Sequence, residues 1–335
     1  GLILRLMSFT GVSMSSQDAI AGSDELKSRS TGNNPFLSAF RFDHTGSLKD
    51  RLLTALIVLA VAYALTVVAL VAPHGRILAV AWASAVGVLS AFEVVRLFAR
   101  DVVTSAYRKG WGALHFIVLA LPALVATVVG VQAVVHGALS WKLLFVSTVA
   151  SAQFLMILQT FAGRRRLEDG SRHAESYAPA FLLVGICAPQ LIVIASLPLG
   201  VHLVWWLVGV VALNDAGAYF AGKYLGKNKM APALSPNKTI EGSVAGYVIG
   251  IVAGVLLGHA ILDGVLSTGA LAFVSFVVVI SAQAADLSKS YLKRLRGVKD
   301  TGAFFPGHGG VLDRFDGMIG AAPAVILTLL LLGAL

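Results

Sequence analysis

Thr268-Gly-Ala-Leu-Ala-Phe-Val-Ser-Phe-Val-Val-Val-Ile-Ser-Ala-Gln-Ala-Ala-Asp286-Leu-Ser288 carries no charge until its nineteenth residue. A helix rises 1.5 Å per residue, so about 20 such residues cross the ~30 Å hydrocarbon layer of a bilayer. Eight more runs of this kind follow or precede it, at roughly 52–72, 77–99, 113–135, 139–162, 177–199, 201–221, 243–262 and 318–335. Pro122, Pro189 and Pro198 fall inside them, which membrane helices tolerate because neighbours satisfy the freed backbone groups. The whole chain agrees with the runs. Of 335 residues 57% are hydrophobic and only 13% charged, with a mean hydropathy of +0.82. That excludes a soluble domain and a disordered chain. The runs are long and unbroken rather than alternating in ~10-residue segments, which argues against a β-barrel. The expected fold is all-α, a polytopic integral membrane protein with about nine transmembrane helices.

Basic residues orient it. With nine spans, all of the 26 Lys and Arg except Arg76 and Lys142 fall on the side of the N-terminal tail. The N-terminus is therefore expected in the cytoplasm, and Leu335 on the far side. Residues 1–50 are rich in Ser, Gly, Asn and Asp and read as a disordered cytoplasmic tail, ahead of a membrane-embedded domain over 51–335. The apolar stretch Gly1–Val12 lacks the cleavage pattern of a signal peptide, and Met7 or Met14 would serve as a start. The lone Cys187 excludes an intramolecular disulfide.

Two polar loops on the tail side, 222–242 and 289–317, have enough polar residues to build a chemical site. Three acidic residues lie in or at the ends of apolar runs: Glu93, Asp215 and Asp286. A carboxylate there is expensive and faces a partner, a cavity or a metal. Glu93 reads as a local pair with Arg96, three residues on, whereas Asp215 and Asp286 both lead into the polar loops and read as one shared site. The second loop joins a basic stretch, Lys293 to Lys299, to a Pro306-Gly-His-Gly-Gly310 turn and then to Asp313 and Asp316. The last two share a face if a helix has begun. With Asp286 they form a hard oxygen set suited to Mg²⁺, and basic groups beside Mg²⁺ carboxylates suit phosphoryl or nucleotidyl transfer.

This segment resembles the signature of the phosphatidate cytidylyltransferases, the CDP-diacylglycerol synthases. Its elements are Ser290, Lys293-Arg294, Lys299-Asp300, Pro306, His308-Gly309-Gly310 and Asp313-Arg314-Phe315-Asp316. Ser235-Pro-Asn-Lys238-Thr-Ile-Glu241-Gly242 is similar to a second family segment, Asn214-Asp215-Ala-Gly-Ala-Tyr219 to a third, and Leu48-Lys-Asp-Arg51 to the usual helix start. The chain departs at Lys289, where the family usually has an acidic residue, and at Asn237 and Gly317.

The resemblance implies transfer of CMP from CTP to phosphatidate, giving CDP-diacylglycerol and pyrophosphate in phospholipid biosynthesis. It implies Mg²⁺ on Asp286, Asp313 and Asp316 with Asp215, a second cation staying open. Lys299, Asp300, His308 and Arg314 join the three aspartates as the catalytic set, and Ser235, Lys238, Glu241, Ser290, Lys293 and Arg294 join Asp215 as substrate-binding. CTP, phosphatidate and bilayer lipid are the implied partners; nucleic acid is not, and a homodimer stays open. The implied location is the cell's inner membrane, multi-pass, with the site facing the cytoplasm. A CTP-dependent kinase of a membrane alcohol and an ion-coupled transporter are the alternative readings. Gly217-Ala-Tyr-Phe-Ala-Gly-Lys-Tyr224 mimics a P-loop, but the residue after its lysine has no small hydroxyl for Mg²⁺.

Overall fold

Inside hydrocarbon an apolar segment can satisfy its backbone only within itself, and helix is the form that does so. The computed structural model describes residues 75–99, 111–137, 139–163, 177–262, 264–302, 304–305 and 309–334, together with Val68, Val71 and Glu175. The tail 1–50 and most of the run 52–72 lie outside the described residues. The helices are α1 (Arg76–Ala99), α2 (Trp111–His136), α3 (Trp141–Gly163), α4 (Tyr177–Ser196), α5 (Gly200–Leu225), α6 (Ile240–Ile261), α7 (Thr268–Leu295) and α8 (Val311–Leu331). Among the described residues seven of them, all but α3, are long and apolar enough to cross a membrane. They reproduce seven of the expected runs, and α3 covers the run 139–162.

Helix α4 forms the centre. Leu191, Ile192, Val193, Ile194 and Ala195 are fully buried, and α1, α2, α5 and α8 all pack against this helix. Its segment Phe181–Cys187 is π-helical. There the ring of Phe181 lies where a side chain at residue 185 would go, and Gly185 leaves the space free.

Helix α6 is built the opposite way. Gly242, Gly246, Gly250, Gly254 and Gly258 recur at every fourth residue, and its only other buried residues are Ser243 and Ala253. A Cβ at Gly246 would come within 2.8 Å of the Asn214 carbonyl oxygen on α5. At Gly250 it would meet Val279 of α7 at 2.6 Å. Small residues thus let three backbones approach closely, the usual packing device where no water drives helices together. Trp206 Nε1 closes the seam by donating to the Gly254 carbonyl at 2.8 Å. The opposite face of α6, with Val244, Val248, Val252 and Leu256, is exposed apolar surface that a bilayer would cover.

Both polar loops are more ordered than expected. The first contains an antiparallel hairpin, β1 (Lys229–Ala231) and β2 (Ser235–Thr239), so among the described residues the helices are joined by one small sheet. The second shrinks from 289–317 to the connection 296–310, because α7 continues to Leu295 and α8 begins at Val311. Apolar patterning ends at the membrane boundary, but Lys, Arg and Leu are good helix formers and carry the hydrogen-bond ladder beyond it. Ser290, Lys293 and Arg294 therefore stand on α7, and Asp313, Arg314 and Asp316 on the first turns of α8.

Candidate active site

Asp286, Lys289 and Lys293 follow one another on α7 at spacings of three and four, so they share a face. That face meets the start of α8. Lys289 Nζ lies 3.0 Å from Asp286 Oδ1 and 2.8 Å from Asp316 Oδ2, and donates to the Asp313 carbonyl at 3.3 Å. Lys238, at the end of the hairpin, reaches Asp286 Oδ2 at 2.5 Å. Asp215 of α5 is exposed, accepts from Asn214 Nδ2 at 3.0 Å, and is within electrostatic reach of Asp286, Lys238 and Lys289. The chain thus gathers three carboxylates and two ammonium groups at one end of α5, α7 and α8.

A second carboxylate group lies one helical turn away and works differently. Asp313 Oδ2 accepts from Thr301 N at 2.7 Å, Thr301 Oγ1 at 2.9 Å and Gly310 N at 3.2 Å, while Oδ1 takes Lys293 Nζ at 2.9 Å. Glu93 of α1 is buried beside it and accepts from Val311 N at 2.7 Å and Leu312 N at 2.9 Å, with Thr301 Oγ1 at 3.3 Å. These are the first backbone donors of α8, which no residue of that helix can satisfy. Carboxylates suit them doubly, as acceptors and as negative charge at the positive end of the helix. Glu93 was expected to serve a local pair with Arg96; its carboxylate instead holds a helix more than 200 residues downstream. Gly302 and Gly310 leave it the room, since a Cβ at either would meet the Glu93 carboxyl carbon at 2.8 or 2.7 Å.

Other expected residues are committed to the scaffold. Glu241 accepts from Lys227 N at 3.1 Å and from Asn228 Nδ2 at 2.7 Å, closing the turn before the hairpin. Arg294 Nε donates to the Leu234 carbonyl at 3.2 Å, pinning the hairpin to α7. Arg296 lies over the Phe98 ring at 4.4 Å, and its burial lowers its pKa without discharging it. Lys299 and Arg314 are exposed, and Ser235, Ser290 and Asp300 half-buried. His308 and Pro306 lie outside the described residues.

The expected meeting of Asp286, Asp313 and Asp316 is realised only for Asp286 and Asp316. Among the described residues no three His, Cys, Asp or Glu side chains converge as a metal cage requires. Asp313 has spent both oxygens on protein donors. Asp316 takes no backbone N–H among the described residues: its buried carboxylate has the Lys289 ammonium, 2.8 Å from Oδ2, as its close partner. Mg²⁺ is bound by one or two carboxylates together with substrate phosphates, and the pair Asp286 and Asp316, which meet at Lys289, would suit it in that way. A cavity of about 120 Å³ forms at the other end of the helices, lined by apolar groups such as Leu197, Leu203, Leu262 and Leu329. It holds none of these charged residues.

The model of the cytidylyltransferase family matches residues 49–332. A phosphatidate cytidylyltransferase of Helicobacter pylori is 39% identical over 149 residues, 44% of this chain and 54% of that protein. One of Staphylococcus haemolyticus is 40% identical over 131 residues, 39% of this chain and 50% of that protein. One of Staphylococcus aureus is 37% identical over 131 residues, with the same shares. The chain spans about half the length of the curated relatives it matches.

Proposed function

The chain belongs to the cytidylyltransferase family, and on that premise we propose that it transfers CMP from CTP to phosphatidate, releasing pyrophosphate and leaving CDP-diacylglycerol in the membrane. One observation carries the reading: the Asp286–Lys289–Asp316 cluster, with Lys238 beside it, at the ends of helices able to cross a bilayer. Phosphatidate cannot leave the bilayer cheaply, at ~0.8 kcal/mol per exposed CH₂. CTP arrives only from water. A charged site at a helix end is where the two can meet, and the names of the relatives agree with it.

In the reaction a phosphate oxygen of the lipid forms a bond to the α-phosphorus of CTP. The bond from that phosphorus to the bridging oxygen breaks, and pyrophosphate leaves with the electron pair. The attacking oxygen is already anionic, so no strong base is needed. The work is alignment of two polyanions and neutralisation of their charge. Lys238 is 25% exposed and is the ammonium free to turn from Asp286 toward a substrate phosphate. Lys299 and Arg314, exposed on the adjoining connection and the first turn of α8, add positive charge on the same side. Asp286, Asp316 and Asp215 would hold Mg²⁺, which when bound supplies charge neutralisation to the triphosphate. The reading places nine spans in the inner membrane, with the N-terminus and site in the cytoplasm, as the partition of basic residues supports.

The test is CTP labelled at the α-phosphate, given with phosphatidate, detergent and Mg²⁺ to the purified chain. Label in a lipid product is expected. Label remaining wholly in water-soluble nucleotide overturns the reading, and transfer from γ-labelled CTP to a lipid alcohol would make the chain a kinase.

A further inference from the structure

We infer that the Lys289 ammonium is a built-in cation of the site, permanently offsetting one of the two negative charges of Asp286 and Asp316 so that one divalent ion completes the charge balance. The inference rests on the proposed function, which takes these carboxylates as the substrate-facing group. An ammonium has three protons to give and no acceptor. Lys289 directs all its capacity inward, to Asp286 Oδ1 at 3.0 Å, Asp316 Oδ2 at 2.8 Å and the Asp313 carbonyl at 3.3 Å. It is only 6% exposed, and lysines are almost never that buried unless paired. None of its protons is left for a phosphate.

Lys238 is its counterpart. It meets the other oxygen of Asp286 from the open side, on a short hairpin rather than a packed helix. One lysine is fixed and the other exchangeable. While both are in place, Asp215, Asp286 and Asp316 exceed the two ammonium groups by one negative charge. When Lys238 turns to a substrate phosphate, the excess becomes two, the charge of one divalent ion. Without Lys289, Asp286 and Asp316 would oppose each other directly, and the site would draw in a further cation from solution.

The experiment uses the full chain in detergent, with Mn²⁺ as the probe read by electron paramagnetic resonance. The wild type, Lys289→Met and Lys289→Arg are compared, and α-labelled CTP measures turnover in each. One Mn²⁺ per wild-type chain is expected. Lys289→Met should bind Mn²⁺ about tenfold tighter or take up a second ion, because a competing positive charge has gone. Its turnover should fall and recover in part with added ammonium or potassium ions, while Lys289→Arg keeps the wild-type count. Unchanged Mn²⁺ binding in Lys289→Met, with no response to monovalent cations, overturns the inference. Should that variant fail to fold, two Mn²⁺ ions on the wild type overturn it alone. A wild type that labels no lipid sinks the functional reading instead, and the Mn²⁺ counts still judge Lys289.

Discussion

Asp313 and Asp316 stand one helical turn apart on α8, yet their surroundings have little in common. Asp313 receives two backbone N–H groups, a hydroxyl and Lys293, and with Glu93 it anchors the start of the helix. Asp316 faces Asp286 and Lys289, and its close partner is the ammonium, with no backbone N–H among the described residues. A carboxylate held by backbone donors holds structure. One buried against an ammonium and a second carboxylate carries a demand for positive charge, which is what a site for polyanionic substrates requires.

The sharpest way to break this contrast is to neutralise each carboxylate in turn. Asp316→Asn is expected to lower CMP transfer by at least about 10²-fold while leaving the unfolding midpoint nearly unchanged. Asp313→Asn should do the reverse, losing roughly 1.5–3 kcal/mol of stability with a smaller loss of turnover. Equal effects of the two on both readouts would erase the distinction. Glu93→Gln comes next. An amide can accept but brings donors to face donors, so thermal unfolding in detergent should show a loss of about 1.5–3 kcal/mol. A Glu93→Gln protein as stable as wild type would remove Glu93 from the anchoring group.

Overpacking of the glycine seam should have a similar or smaller effect. Gly246→Val pushes a side chain into the Asn214 carbonyl, and a cost of about 1–3 kcal/mol is expected in the same unfolding measurement. Lys238→Met, at the exposed edge of the charge cluster, should raise the KM for CTP roughly tenfold, about 1.4 kcal/mol, and barely move stability. A KM unchanged by Lys238→Met would assign that lysine to the scaffold with Arg294. Gly269→Ala sets the baseline. A Cβ there meets nothing within 4 Å, so a change within about 0.5 kcal/mol is expected.

Apolar runs were enough to read the eight described helices, because in a bilayer a backbone must bond to itself and a run's length decides whether it spans. The same reading singled out Glu93, Asp215 and Asp286, since carboxylates in such runs need a reason to be there, while Asp313 and Asp316 came from the polar loop. The glycine seam of α6 was also written in the chain, at a four-residue spacing whose meaning depends on which helices it meets. Only the tertiary structure decided how the acidic residues divide their labour. Glu93 and Val311 are 218 residues apart, and no local pattern tells a carboxylate on α1 that the first donors of α8 will face it. Lys289 looked like a change of charge beside the site and turned out to lie at its centre, because the i, i+3 step on α7 and the arrival of α8 bring two carboxylates to one ammonium. Sequence sets what each segment can be in a membrane. Which charges meet depends on how the segments pack, and each carboxylate takes the partners that packing leaves nearest to it.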